Sequence, residues 1–176
     1  MRIFLIFIFA ALTNAACAST PVDAVPVTKF DSERYLGKWY EIARLDHGFE
    51  RGLSEVTATY SKREDGGIKV ENRGCKAAKS KWKDATGKAY FTKGETVGQL
   101  KVSFFGPFYG KYIVFDLDQE NYTHAYISGG SMKYLWLLSR SPQISAEQKS
   151  DFIAKSQSLG YDTDALIWVE QTGSCE

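Results

Sequence analysis

From Gly37 onward the chain divides into eight short, mostly apolar stretches at near-regular spacing, joined by brief polar or glycine-containing links. Residues 39–45 form the first. Residues 55–62 (EVTATYSK) alternate, with Val56, Ala58 and Tyr60 set against Thr57, Thr59 and Ser61. Residues 64–67 (EDGG) are a hairpin signal, and 68–72 alternate again. Residues 82–91, interrupted by Gly87, and 100–105 (LKVSFF) are the fourth and fifth strands. Gly106-Pro107 marks a turn, and 111–118, 122–128 and 133–139 complete the eight. Sequential strands with short links tend to pair as neighbours.

A helix signal appears only after these strands. Ser145 with Gln148 three residues on reads as a capping box, Phe152, Ile153 and Leu159 supply an apolar face, and Gly160 is a C-terminal stop. A last strand covers 165–169. The pattern predicts an all-β fold: an eight-stranded antiparallel up-and-down β-barrel with one C-terminal α-helix packed outside and a short final strand. Closure removes exposed sheet edges, and eight strands enclose room for one small ligand. A two-sheet sandwich is the rival on the same pattern.

The amino terminus reads as an export signal. Arg2 precedes an apolar run over residues 3–12, and small and polar residues follow up to Cys17. The run is too short for a comfortable membrane span. Without it about 160 residues remain, the size of one domain. Two processings fit. In one, 1–16 is a lipoprotein signal peptide, Cys17 is lipidated as in bacterial lipoproteins, and 17–27 is a lipidated N-terminus with a Pro-containing tether. In the other, an A-x-A site is cut before Ser19. The first gives Cys17 a role. Ala18 is not the Asp of an inner-membrane retention signal, so the bacterial outer membrane, with the domain in the periplasm, is the expected location. The formal net charge of +1 argues against nucleic acid, which usually needs a net basic face. Two His and three Cys leave little for a metal site.

Polar neighbours set which residues of each strand face inward. The rule places Val56, Ala58 and Tyr60 inside on the second strand, and Ile68, Val70 and Asn72 inside on the third. Ala89 and Phe91 follow on the fourth, and Leu100, Val102 and Phe104 on the fifth. With Asp116 outside, Ile113, Phe115 and Leu117 fall inside on the sixth, and Tyr134, Trp136 and Leu138 do so on the eighth. The seventh is ambiguous between Tyr122, His124 and Tyr126 on one face and Thr123, Ala125 and Ile127 on the other. Such a lining is apolar with a few polar groups, as expected of a small-molecule pocket.

Three separated motifs resemble one family. The stretch 35–52 (YLGKWYEIARLDHGFERG) resembles the first lipocalin signature, with Gly37 and Trp39 as its G-x-W core. Asp118 resembles the second motif, in part, and Leu138-Ser139-Arg140 the third. Residues 104–110 (FFGPFYG) and 134–140 (YLWLLSR) are most similar to bacterial outer-membrane lipocalins and their apolipoprotein D-like relatives. The resemblance implies a lipocalin domain over 28–176, with Arg140 lying across the Trp39 indole at the closed end. Gly37, Trp39, Asp118 and Arg140 are then structural residues. Cys75 and Cys175 form an even pair that suggests a disulfide, with two free thiols as the alternative, and the resemblance favours the bond.

The loops after the odd strands (46–53, 74–81, 106–110 and 129–132) border the open end. There Phe108 and Tyr109 are exposed candidates for touching membrane, guiding a lipid or pairing two copies as a homodimer. His47, near the same rim, is expected to be solvated. The resemblance implies a carrier for fatty acids or lysophospholipids, palmitate among them, and no cofactor. Two alternatives remain: an enzyme of lipocalin fold acting on a lipid, for which no nucleophilic triad, barrel thiol or metal pair is in view, and a tetrapyrrole carrier using His124.

Overall fold

The computed structural model describes residues 20–173 and 175. The expected signal peptide and Cys17 lie outside the described residues. Nine strands form a single sheet: β1 (Gly37–Arg44), β2 (Leu53–Lys62), β3 (Ile68–Lys76), β4 (Lys81–Phe91), β5 (Gln99–Phe105), β6 (Phe108–Leu117), β7 (His124–Ser128), β8 (Leu135–Ser139) and β9 (Ile167–Trp168). Each of β2 to β8 pairs antiparallel with the next, and β1 closes the ring by pairing with both β8 and β2. The result is the closed eight-stranded barrel the alternation predicts. Strand β9 hydrogen-bonds to β1 outside the ring, through Ala43↔Trp168 and Arg44↔Ile167.

Helix α2 (Ala146–Ser158) starts where the capping signal places it, and Ser145 Oγ accepts the Gln148 N–H at 3.2 Å. Its Phe152 is fully buried and meets Tyr126 edge-on at 5.0 Å. Lys155 bridges Asp116 and Asp151 at 2.8 and 2.9 Å, fixing the helix across β6. A one-turn helix, α1 (Ser32–Tyr35), is too short to leave a periodic trace in the sequence; Asp31 caps it by accepting the Glu33 and Arg34 N–H groups. It seals the end of the barrel where β1 begins.

Two apolar layers result. The inner one fills the closed end and lower wall with Phe30, Tyr35, Trp39, Val70, Val114 and Ile127, among others. The outer one lies between the sheet and α2 and includes Ile42, Ile113, Tyr126, Leu137 and Phe152. The expected tether is largely bound to the barrel. The Met132 N–H donates to Thr20 O, Pro21 bridges Ser131, and Val27 bonds both Val114 and Gly98. Residues 20–28 therefore run down the outside from one end of the barrel to the other. At the carboxyl end Cys175 is disulfide-bonded to Cys75, with Cα atoms 5.8 Å apart. Gln171 Nε2 donates to Glu41 O and Val56 O, so the whole tail is held against β1 and β2.

Candidate functional site

The barrel encloses a cavity of about 460 Å³, within the roughly 300–1,000 Å³ common for small-molecule sites. Its floor is aromatic. Phe30 and Tyr35 come from the segment that crosses the closed end, and Trp39 lies beneath them, 4.9 Å from Tyr35. Gly37 has φ +91°, a conformation that suits glycine, and it starts β1 directly under this floor. The Arg140 guanidinium lies 3.8 Å above the Trp39 ring and donates to Lys38 O, Leu36 O and Arg34 O at 2.7–2.8 Å. It thus ties the end of β8 to the start of β1. Asp118 organises the β6–β7 turn by accepting the Asn121 N–H and the Thr123 hydroxyl.

Three phenols meet just above the floor. Tyr112 Oη lies 2.7 Å from Tyr35 Oη and 2.9 Å from Tyr60 Oη. Burial pushes all three phenols above their ordinary pKa, so they stay neutral at physiological pH. Ala58, Val70, Leu100, Val102, Phe104 and Leu138 make an apolar wall. The small side chains of Ala58 and Ala89 leave the space that larger ones would fill. The Asn72 Oδ1 is buried without a protein partner and faces this space, so it is left for a ligand or a water.

One side of the wall is charged. Glu41 and Arg44 lie inside the barrel on β1, bonded at 2.6 Å, and Arg44 is 1% exposed. Arg44 also donates to the Glu50 and Leu53 carbonyls. Glu50 accepts from Trp136 Nε1 at 3.1 Å and lies 3.0 Å from His47 Nε2. Burial raises the Glu41 pKa well above the ordinary carboxylate value, and the adjacent Glu50 raises it further against the pull of Arg44. The guanidinium bonds the Glu41 carboxyl but meets Glu50 at its backbone carbonyl. His47 is buried, stacked 4.0 Å from Phe49 and close to Trp136, which corrects the expectation of a solvated rim residue.

The inward readings of β3, β5 and β8 place Val70, Asn72, Leu100, Val102, Phe104 and Trp136 on the cavity, and Ala58 and Tyr60 join them from β2. Five others do not line it, Leu117 among them, although it faces inward in the inner layer. Val56 sits in a bulge of β2, where the register slips between Ser54 and Thr57, and packs against Gly74. Phe91 lies below the floor, edge-on to Phe30 at 6.0 Å. Ile113 and Phe115 face outward into the layer under α2. Asp116 does point out, as expected, but β6 bulges between Val114 and Asp116, so the residues before the bulge change face. Tyr112 and Val114 are inside instead. On β7, Ala125 and Ile127 face inward and Tyr126 outward. Tyr122 is not on that strand face: it has φ +56° in the preceding turn, and its hydroxyl accepts the Asp31 N–H at the closed end. His124 packs against outward-facing Tyr126 and does not line the cavity. Phe108 and Tyr109 do stand at the mouth, with Phe105 and Phe49 beside them.

Sequence reasoning missed Tyr35, Glu41, Glu50 and Tyr112. Alternation from Trp39 would have found Glu41, two residues on and on the same face.

Known proteins share this architecture and sequence. Residues 30–171 match the model of the lipocalin-like domain. The chain is 54% identical to the outer membrane lipoprotein Blc of Vibrio cholerae, covering 97% of this chain and 99% of that protein. It is 53% identical to the protein of the same name from Escherichia coli K12, covering 94% of each. Mouse apolipoprotein D is 28% identical, over 88% of this chain and 82% of its own. Among solved structures, insecticyanin from the tobacco hornworm Manduca sexta superposes with a TM-score of 0.71 at 20% identity, covering 89% of each chain, which supports the fold. With the G-x-W strand, the Arg140 lock and the closed barrel in place, the chain belongs to the lipocalin family.

Proposed function

We propose that the protein is a membrane-anchored carrier that holds the acyl chain of a fatty acid or lysophospholipid in its barrel, in storage or transport for the cell envelope. The observation that carries this reading is the cavity: about 460 Å³, closed below, open at one end and walled by aliphatic and aromatic side chains. An acyl chain gains about 0.8 kcal/mol per buried CH₂ before the costs of binding. The chain enters tail first, because a carboxylate driven inward would meet the buried Glu41 and Glu50 carboxyls. The head group then stays at the rim. No step of this role requires catalysis.

The names of the two bacterial relatives, both outer membrane lipoproteins, support anchoring through acyl chains on Cys17 and a periplasmic domain. The mass of Cys17 in protein purified from membranes tests the anchor.

Titration of delipidated protein with palmitate and with a lysophospholipid, followed through Trp136 fluorescence, tests the cavity. Saturable binding is expected, and Ala58→Trp, which fills the wall, should weaken it at least tenfold. Absence of saturable binding for every acyl-chain ligand would overturn the proposal.

A further inference from the structure

The mouth of the barrel and the start of the described chain lie together. Thr20 and Pro21 bond Met132 and Ser131 in the β7–β8 loop, and the flanking Gly129 and Tyr134 line the cavity opening. Two residues lie between Cys17 and Thr20, so the span from one to the other is roughly 10 Å at most. An acylated Cys17 therefore holds the mouth, and not the closed end, next to the bilayer. This step rests on the anchored-lipoprotein reading above.

The surface at that end is built for such a neighbour. Among the described residues six large apolar side chains are exposed, and five of them stand around the mouth: Phe49, Trp82, Phe105, Phe108 and Tyr109. Phe105 and Phe108 are 80% and 79% exposed at the tip of the β5–β6 hairpin. Aromatic side chains favour the boundary between head groups and acyl chains. Around them lie six exposed lysines: Lys76, Lys79, Lys81, Lys83, Lys111 and Lys133. The exposed rim carboxylates Asp46 and Asp84 are paired with Arg51 and Arg73. A basic ring about an aromatic tip suits anionic head groups. We propose that the mouth docks on an anionic phospholipid bilayer, with Phe105 and Phe108 inserted at the interface, so that an acyl ligand passes between membrane and cavity without crossing bulk water.

Site-specific quenching tests this. The acylated protein is reconstituted in phosphatidylethanolamine–phosphatidylglycerol vesicles, with an environment-sensitive fluorophore on Phe108→Cys at the mouth or on Glu64→Cys in the β2–β3 turn at the closed end. Nitroxide-bearing lipid should quench the first label severalfold and leave the second unchanged. Quenching at 64 alone, or at neither site, overturns the proposal. So does shielding at 108 that persists without vesicles and grows with protein concentration, because a second copy then covers the mouth.

In a second arm, the chain beginning at Ser19, free of any anchor, is mixed with the same vesicles. Phe105→Ser/Phe108→Ser should lower its partitioning about tenfold, at an unchanged melting temperature; equal partitioning overturns the insertion. The two readings fail separately. Wild-type protein that binds no acyl ligand, yet shows quenching at 108, loses the carrier role and keeps the docking face. Protein that binds ligand and is quenched at 64 loses only the docking face.

Discussion

Arg140 covers the Trp39 indole and donates to three carbonyls, so its planar fork does what a point charge cannot. Arg140→Lys keeps the charge and loses the fork. A loss of about 1–3 kcal/mol in urea denaturation is expected, with palmitate affinity unchanged because Arg140 does not line the cavity. The Glu41 carboxyl gives a second prediction, in pH. Its folded pKa is raised above the ordinary value near 4.5, so above that pH the folded chain holds a proton the unfolded chain has released. Stability contributed by this group is present below the unfolded value and is lost as pH rises toward the folded one. Denaturation curves between pH 4 and 7 should therefore show a flatter dependence in Glu41→Gln than in the wild type. An identical slope in the two proteins would remove Glu41 as its source. The sequence made Trp39 and Arg140 legible because each sits in a compact motif of its own, and the resemblance implies that the two meet. Alternation from Trp39 also points Glu41 inward, against the rule that a charged residue on a strand faces water.

The strands show where alternation can be trusted. On β3 the charged Lys69 and Glu71 mark the outer face while Val70 and Asn72 line the cavity, as read from the sequence; on β5 Leu100, Val102 and Phe104 line it as read, but Ser103, read as outward, is buried and lines it too. On β6 the same rule inverts, because one extra residue between Val114 and Asp116 turns Ile113 and Phe115 toward α2 and brings Tyr112 inside. A bulge has no signature in composition; it is set by how two neighbouring strands and a helix fit together. The largest fully buried side chain of α2 is Phe152. Phe152→Ala should cost about 3–5 kcal/mol in chemical denaturation, while saturable acyl binding survives in the folded fraction. Loss of binding in step with loss of the helix contact would mean that the outer layer, and not the barrel alone, shapes the cavity.

For the whole molecule the longest covalent link is the disulfide, which closes a loop of 100 residues between β3 and the tail. The chain-entropy model gives about 4.7 kcal/mol for such a loop, before native-state strain is subtracted. Cys75→Ser/Cys175→Ser should lower the melting temperature markedly, to the value of reduced wild type. The tail would keep its bonds from Gln171 to Glu41 O and Val56 O. A melting temperature insensitive to reductant would show that those bonds alone hold the tail. At this scale the amino-terminal segment is the main revision. Its prolines read as a tether, yet from Thr20 it is bonded along the barrel wall.

The sequence by itself determined the strand count, the late helix, the G-x-W lock and the cysteine pair, because each rests on residues close together in the chain or on a few distinctive residue types. Only the tertiary structure decided the face of β6, the buried Glu41–Arg44–Glu50 cluster, the phenol triad and the end from which the amino terminus leaves. Those features depend on register between strands far apart in sequence and on which buried polar groups find partners, and neither quantity is written in a local pattern.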